Sequence, residues 1–330
     1  MGKFILKRLA VSVVILFFVM FLIYTLMYCL PSNYIDTMAR QLATRPGNTK
    51  SAQEWLAELN AQYGMDKGLI PGFFVWLSSA IRGDFGTSWR WTLPVTEKFA
   101  QVIGYSIALG TATFLLQILV AVPLGILAAR KQYRPTDHII TVSAMVCNAL
   151  PSFFAASLLK LIFSVKLGWF DIGGIISTRT HAAMSPFMQV VDMGLHLVLP
   201  AVTIVAVSVG SLMRYTRANM LEVLQADYIR TARAKGLGEG QVIGRHAFRN
   251  ILIPLVTILG GSLPGLFAGA LITEQLFSIP GIGYTAYQSM IVGDIPFTMF
   301  YLSFMAVLTL LGNLLADILY AVVDPRVRLS

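Results

Sequence analysis

The chain has 330 residues, 56% of them hydrophobic and only 12% charged, with a mean hydropathy of +0.71. A soluble domain carries about 25% charged residues, so this is a membrane composition. The net charge of +9 does not mark a nucleic-acid binder: the basic residues gather near the ends of apolar segments, as topology selection produces.

Lys3, Lys7 and Arg8 precede an apolar run over 9–30. That run is too long for the core of a signal peptide and no small-x-small site follows it, so it reads as a retained first span. Five further stretches meet the requirement of roughly 20 apolar residues. The expected order is an N-terminal segment (1–8), span one (9–30), a long loop (31–102), span two (103–129), a short loop (130–138), span three (139–163), a loop (164–194), span four (195–213), a second long loop (214–250), span five (251–273), a loop (274–296), span six (297–323) and a tail (324–330). Placing both termini in the cytoplasm puts 15 Lys and Arg on the inner side against five acids, over shorter segments than the outer side has. That bias supports the orientation. The fold class is all-α, a polytopic membrane protein with six transmembrane helices.

Within 31–102, the spacing of Trp55, Leu56, Leu59 and Tyr63 predicts a short amphipathic helix over 51–64, stopped by Gly64. The stretch 71–81 is too short to span and is expected at the interface. Trp76, Trp89 and Trp91 suit an aromatic belt. In 274–296, Pro280, Gly281 and Gly283 predict a turn followed by a short helix.

Chemistry-bearing motifs are missing. The sequence has no GxxxxGK[ST], HExxH or GxSxG. Cys29 and Cys147 form no disulfide framework, and the histidines at 138, 181, 196 and 246 have no metal-ligand spacing. Ion-coupled transport would need intramembrane charges. The candidates are Glu274 and Lys160 near span ends, where Lys160 can snorkel, and Asp317 inside span six, read as structurally paired. Gly261, Gly265 and Gly269 stand four apart in span five, a ridge of bare backbone. It serves packing within the chain, or a subunit interface or pathway wall; spacing leaves both open.

The loop 214–250 is the odd segment. Leu221, Leu224, Tyr228 and Ala232 fall at helical steps and share one face of a helix about three turns long, with Arg230 and Arg233 off that stripe. Gly236 after Lys235 predicts its C-terminal stop, and a second short helix is expected over 239–249. A basic amphipathic helix can lie on anionic membrane lipid or dock in a protein groove, and the pattern alone does not choose.

MLEVLQADYIRTARAKGL, followed by RHAFRNILIP, resembles the inner loop of binding-protein-dependent ABC transporter permeases, and within them the dipeptide/oligopeptide group. FILKRLA, GDFGTSW with LPV close behind, PLGILAA, LPA, FSIPGIG and YAVVDPRVR extend the likeness over nearly the whole chain. The resemblance implies the type I ABC importer permease fold in a bacterial or archaeal cell membrane. It implies a non-catalytic subunit, working with a homologous second permease, two ATPase subunits and an extracytoplasmic substrate-binding protein. No cofactor or metal is expected in this chain; ATP and Mg would belong to the ATPases. The implied cargo is di- or oligopeptides, with nickel, glutathione or oligosaccharides as alternatives for the same machine and an ion-coupled secondary transporter as the rival class. Coupling to the ATPase would fall on Asp227, Tyr228, Arg230, Thr231, Ala232, Arg233, Lys235 and Gly236. The general family motif is E-A-A-x3-G. Aligned on Gly236 it puts Arg230 where the acid is usual, a variant common in the peptide group, so a glutamate contact does not carry over and Asp227 is the candidate replacement. PSN at 31–33 and GMDKG at 64–68 also depart from the family pattern, both at outer positions.

Overall fold

A computed structural model describes residues 2–29, 33–262, 265–266 and 270–323. The described residues are helical apart from turns and one isolated antiparallel bridge between Thr87 and Pro94. Four helices are long and apolar enough to cross a membrane, at Leu6–Tyr28, Val95–Arg130, Pro186–Leu224 and Ile295–Ile318. Two bent pairs reach that length together, so the number rises to six when each pair is one span. The apolar windows of the four long helices are only 17% to 33% buried within the chain. The rest is an outward apolar surface that water would not tolerate and lipid would.

The chain divides into two compact units. One comprises Gly2–Gln101 and Gln288–Leu310. It holds α1 (Gly2–Tyr28), α2 (Asn33–Ala43), α3 (Ala52–Tyr63) and α4 (Leu69–Ile81). α3 starts with a capping box, in which the Glu54 N–H donates to Ser51 Oγ (3.2 Å) and the Ser51 N–H to Glu54 Oε2 (2.6 Å). It stops at Gly64 in the left-handed region, where the 51–64 pattern put the end. Tyr24, Phe73 and Trp76 are buried together at the centre of this unit. Trp76 and Trp89 are 2% and 4% exposed, so neither is an interfacial anchor as expected. Trp76 is drawn in by aromatic packing against Tyr24, Phe73 and Phe85. Trp89 is held by Asp294, itself fully buried, which accepts from the Trp89 N–H (3.1 Å), the Arg90 N–H (3.2 Å) and the Ser88 hydroxyl. One carboxylate thus gathers the turn that GDFGTSW encodes.

The other unit comprises Val102–Tyr287 and the chain from Leu311 on. α5 (Val95–Arg130) runs into it. It also contains α6 (Pro135–Ala149), α7 (Ser152–Leu159) with a π-helical turn over Lys160–Lys166, and α8 (Pro186–Leu224). After these come α9 (Asp227–Ala234), α10 (Glu239–Gln241), a π-helical turn over Val242–Ala247 and α11 (Phe248–Ser262). The unit's last complete helix is α12 (Leu271–Phe277), while α13 (Ile282–Ile291) and α14 (Ile295–Val323) each run through residues of both units.

The stretch read as span three is not one straight helix: α6 and the α7 segment meet at 102°. Leu150 precedes Pro151, whose ring pushes the residue before it out of the helical region, and Leu150 sits at ψ 132°. Pro151 was visible in the sequence and was the missed signal. The pair from 239 to 262 bends by 45° around Leu252–Pro254, where the missing proline N–H opens the ladder.

Single glycines set helix–helix approach, two of them on contacts with α8. A Cβ at Gly210 on α8 would lie 2.6 Å from the Ala144 carbonyl of α6, and one at Gly125 on α5 would lie 2.7 Å from the Met213 carbonyl of α8. The glycine ridge expected in span five behaves differently. A Cβ at Gly261 would meet Ala316 at an ordinary 3.7 Å, and one at Gly265 would meet no described atom within 4 Å. Gly269 lies outside the described residues.

Glu274 and Lys160 are bound inside the chain. Glu274 is fully buried and accepts from Ser106 Oγ (2.7 Å), the Tyr284 N–H (2.8 Å) and the Ala270 N–H (3.2 Å), which fixes the FSIPGIG turn. Lys160 does not snorkel outward. It donates to the Leu276 carbonyl at 2.7 Å, an orphan acceptor at the end of α12.

Candidate functional site

The 214–250 loop is built differently from its sequence pattern. α8 does not end at residue 213 but continues to Leu224. The chain then breaks at Gln225 and Ala226, the latter extended at ψ 146°, and restarts as α9, eight residues long. Leu221, Leu224, Tyr228 and Ala232 therefore do not share one helix, and α9 is about two turns rather than three. No Gly or Pro stands at the break, so propensity did not announce it. Burial decides it: the turn buries Ile229 and Ala232, 0% and 5% exposed, in the cluster that includes Val242 and Ala247 of the π-helical turn on which α9 packs. Tyr228 is 46% exposed and off the packed face. Ile229 is the residue that periodicity missed, because the stripe was counted through the break.

The outward face of α9 is charged. Asp227, Arg230, Thr231, Arg233 and Lys235 are exposed, as is Gly236 beyond them. Arg230 Nη1 is 3.4 Å from Asp227 Oδ1 on this face. Arg233 Nε donates to Glu239 Oε1 at 2.7 Å, bracing the end of α9 against the start of α10. The Arg233 guanidinium holds the Glu239 carboxyl below the usual range. These are exposed pairs that orient side chains more than they stabilise.

Gly236 ends the helix as expected. It sits at φ +78°. Its N–H donates to the Arg233 carbonyl (2.9 Å) and the Leu237 N–H to the Ala232 carbonyl (3.4 Å), the two bonds of a Schellman motif. A left-handed conformation costs an L-residue about 1–2 kcal/mol, and a Cβ at Gly236 would meet nothing within 4 Å. Gly236→Val is therefore expected to leave the chain inserted and to loosen α9. Amide exchange over 227–236 should speed up by about tenfold. Unchanged exchange would contradict the strain.

The root of α9 is tied to the preceding short loop. Asp137, 2% exposed at the start of α6, receives Arg217 of α8 in a fork: Nε to Oδ1 and Nη2 to Oδ2, each 2.7 Å. The Tyr133 N–H (3.1 Å) and Thr141 Oγ1 (3.3 Å) complete its acceptor set. In the sequence Asp137 and Arg217 stand eighty positions apart as charges of two different inner segments.

A second ionic cluster lies in 164–196. Asp192 accepts from Ser177 Oγ (2.6 Å) and the Ser177 N–H (3.0 Å), and His181 Nδ1 is 2.6 Å from it. His196 Nε2 faces Asp171 at 2.9 Å. Histidine spacing in the sequence did not bring these together; the turn before α8 does.

Comparison with known proteins identifies the family. Residues 121–329 match the family described as "Binding-protein-dependent transport system inner membrane component", and residues 1–122 match its N-terminal companion, "Binding-prot-dependent transport system membrane comp, N-term". The chain is 34% identical over 329 residues to the oligopeptide transport system permease protein AppB of Bacillus subtilis (strain 168), covering 99% of this chain and 100% of that one. It is 31% identical over 343 residues to the dipeptide transport system permease protein DppB of Escherichia coli (strain K12), covering 99% of each. A putative peptide transport system permease protein of Brucella abortus (strain 2308) is 32% identical over 329 residues. With both family matches spanning it end to end and six helical candidates for its crossings, the chain belongs to the inner-membrane permeases of binding-protein-dependent ABC transport systems.

Proposed function

We propose that this chain is one of two homologous permease subunits of an ATP-driven importer for di- and oligopeptides. It pairs with a sister permease, two ATPase subunits and an extracytoplasmic substrate-binding protein, with both termini in the cytoplasm. The near full-length likeness to proteins named as peptide permeases carries this reading. The geometry of α9 supports it, since a short helix packed on one face and charged on the other suits docking in a protein cleft. ATP binding closes the ATPase pair. α9, seated in the ATPase cleft, carries that closure to the spans, and the central cavity turns outward to accept peptide from the binding protein. Hydrolysis resets it. The chain performs no bond chemistry, and ATP and Mg stay with the ATPases.

Solubilising the tagged chain from its native membrane and weighing the intact complex tests this. Two ATPase copies and one second permease are expected. Peptide uptake by the reconstituted complex should require ATP and the binding protein and survive collapse of the ion gradients. Recovery of the chain alone, or uptake driven by a gradient, would overturn the reading.

A further inference from the structure

The Asp137–Arg217 pair is unusual among the described ion pairs. Most of the others expose at least one partner broadly, whereas the Asp137 side chain is 3% exposed and that of Arg217 25%. Burying such a pair is weak evidence for stability, because desolvation offsets most of the attraction; its attested use is to fix one arrangement over others. Here it joins separate elements. Asp137 opens α6 and Arg217 sits on the extension of α8, one turn before Met220. Met220 belongs to the same buried cluster as Ile229 and Ala232, the packed face of α9. The pair therefore stands on the stretch of α8 that leads into the docking helix, ten residues before Asp227.

The same carboxylate holds a strained residue. Tyr133 lies at φ +62° although it is not glycine, and its side chain is 78% exposed, so its own packing does not compensate. Such a conformation persists where the surroundings over-determine it. The surrounding contact is the bond from its N–H to Asp137. Farther along, the close approach of Gly210 to Ala144 presses α8 against α6 a second time. Two fixed points along one helix pair leave little freedom to pivot.

We propose that Asp137 and Arg217 are positioning residues that clamp the inner end of α6 to the root of α9, so that displacement of α9 moves α6 and α8 as one body. This rests on the proposed coupling role of α9. The pair touches neither ATP nor peptide. It acts by making the short loop and the docking helix a single mechanical part, and without it α9 swings while α6 lags.

The test uses the full complex reconstituted with its ATPases and binding protein, reading ATP hydrolysed per peptide imported. Asp137→Asn and Arg217→Gln are expected to raise that ratio by about fivefold or more. Arg217→Lys keeps the charge without the fork and should fall between these variants and the wild type. A merely structural pair would lower uptake and hydrolysis in parallel with the amount of assembled complex, leaving the ratio unchanged, and that result overturns the proposal. A second measurement is independent of transport. Spin labels at Lys131 and Ala234, in a chain with Cys29 and Cys147 replaced, should give a narrow distance distribution that broadens in Asp137→Asn. An unchanged distribution also overturns the clamp. If the wild-type complex shows no ATP-driven peptide uptake, the functional reading fails, while the spin-label distances still decide the mechanical tie.

Discussion

Ala232→Glu is expected to bring ATP-driven uptake down to background, a fall of more than about 100-fold, while the complex continues to hydrolyse ATP. Ala232 is 5% exposed and packs with Ile229, Val242 and Ala247. A carboxylate placed there enters the apolar cluster of Ile229, Val242 and Ala247, and a buried charge without a partner costs several kcal/mol. The cheaper outcome is for α9 to lift from the π-helical turn. The lifted helix no longer passes its displacement on, so hydrolysis runs without transport. The spans pack through other residues, and the amount of inserted chain should stay close to normal. Ala232→Ser, nearly isosteric, should transport well. Undiminished uptake by the glutamate variant, in purified proteoliposomes with the binding protein present, would refute the docking assignment of this helix.

Gly210→Leu should act through assembly of the chain itself. Its Cβ would lie 2.6 Å from the Ala144 carbonyl and 3.3 Å from Asn148 Cβ. The nearer atom is backbone, which cannot turn away. Overpacking of this kind costs about 1–3 kcal/mol or more, and α6 and α8 must separate to relieve it. Folded protein in the membrane should fall several-fold and thermal aggregation should begin at lower temperature, with Gly210→Ala intermediate. Gly265→Leu makes the contrast. No described atom lies within 4 Å of a Cβ there, so the isolated chain should be unaffected. If recovery of the sister permease then drops, the span-five glycine face is a subunit interface; if the isolated chain is destabilised, the face packs internally.

The architecture was legible in the sequence because hydrocarbon thickness is a severe constraint: long apolar runs can be read directly as candidate crossings. Local stops were legible for the same kind of reason. Gly64 and Gly236 each end a helix in the left-handed conformation that glycine alone adopts without strain. What depended on three-dimensional packing was not legible. The break before α9 has no breaker residue and exists because Ile229 gains a buried place. Trp89 was expected at the interface, but Asp294, some two hundred residues later in the chain, pulls its backbone inward. The Asp137–Arg217 fork joins residues eighty apart, which no local period can report. Glycines were instructive in both directions. The regular trio in span five suggested close packing, whereas tight approaches are made by the isolated Gly110, Gly125 and Gly210, the first of them against Leu266 of span five. Spacing shows that a bare face exists; only the neighbour's backbone shows which glycine is indispensable.

The unbroken length of α8 has a mechanical consequence. Its 39 residues amount to about 58 Å at 1.5 Å per residue, nearly twice the hydrocarbon thickness of a bilayer, roughly 30 Å. Gly210, one of the two points that tie α8 to α6, lies about 21 Å from Leu224 and about 36 Å from Pro186 along the helix. A tilt of about 10° of the joined pair about that level shifts the Leu224 end by about 4 Å and the Pro186 end by about 6 Å. Under the proposed coupling role of α9, a modest push on the short side is returned, enlarged, at the far end of α8.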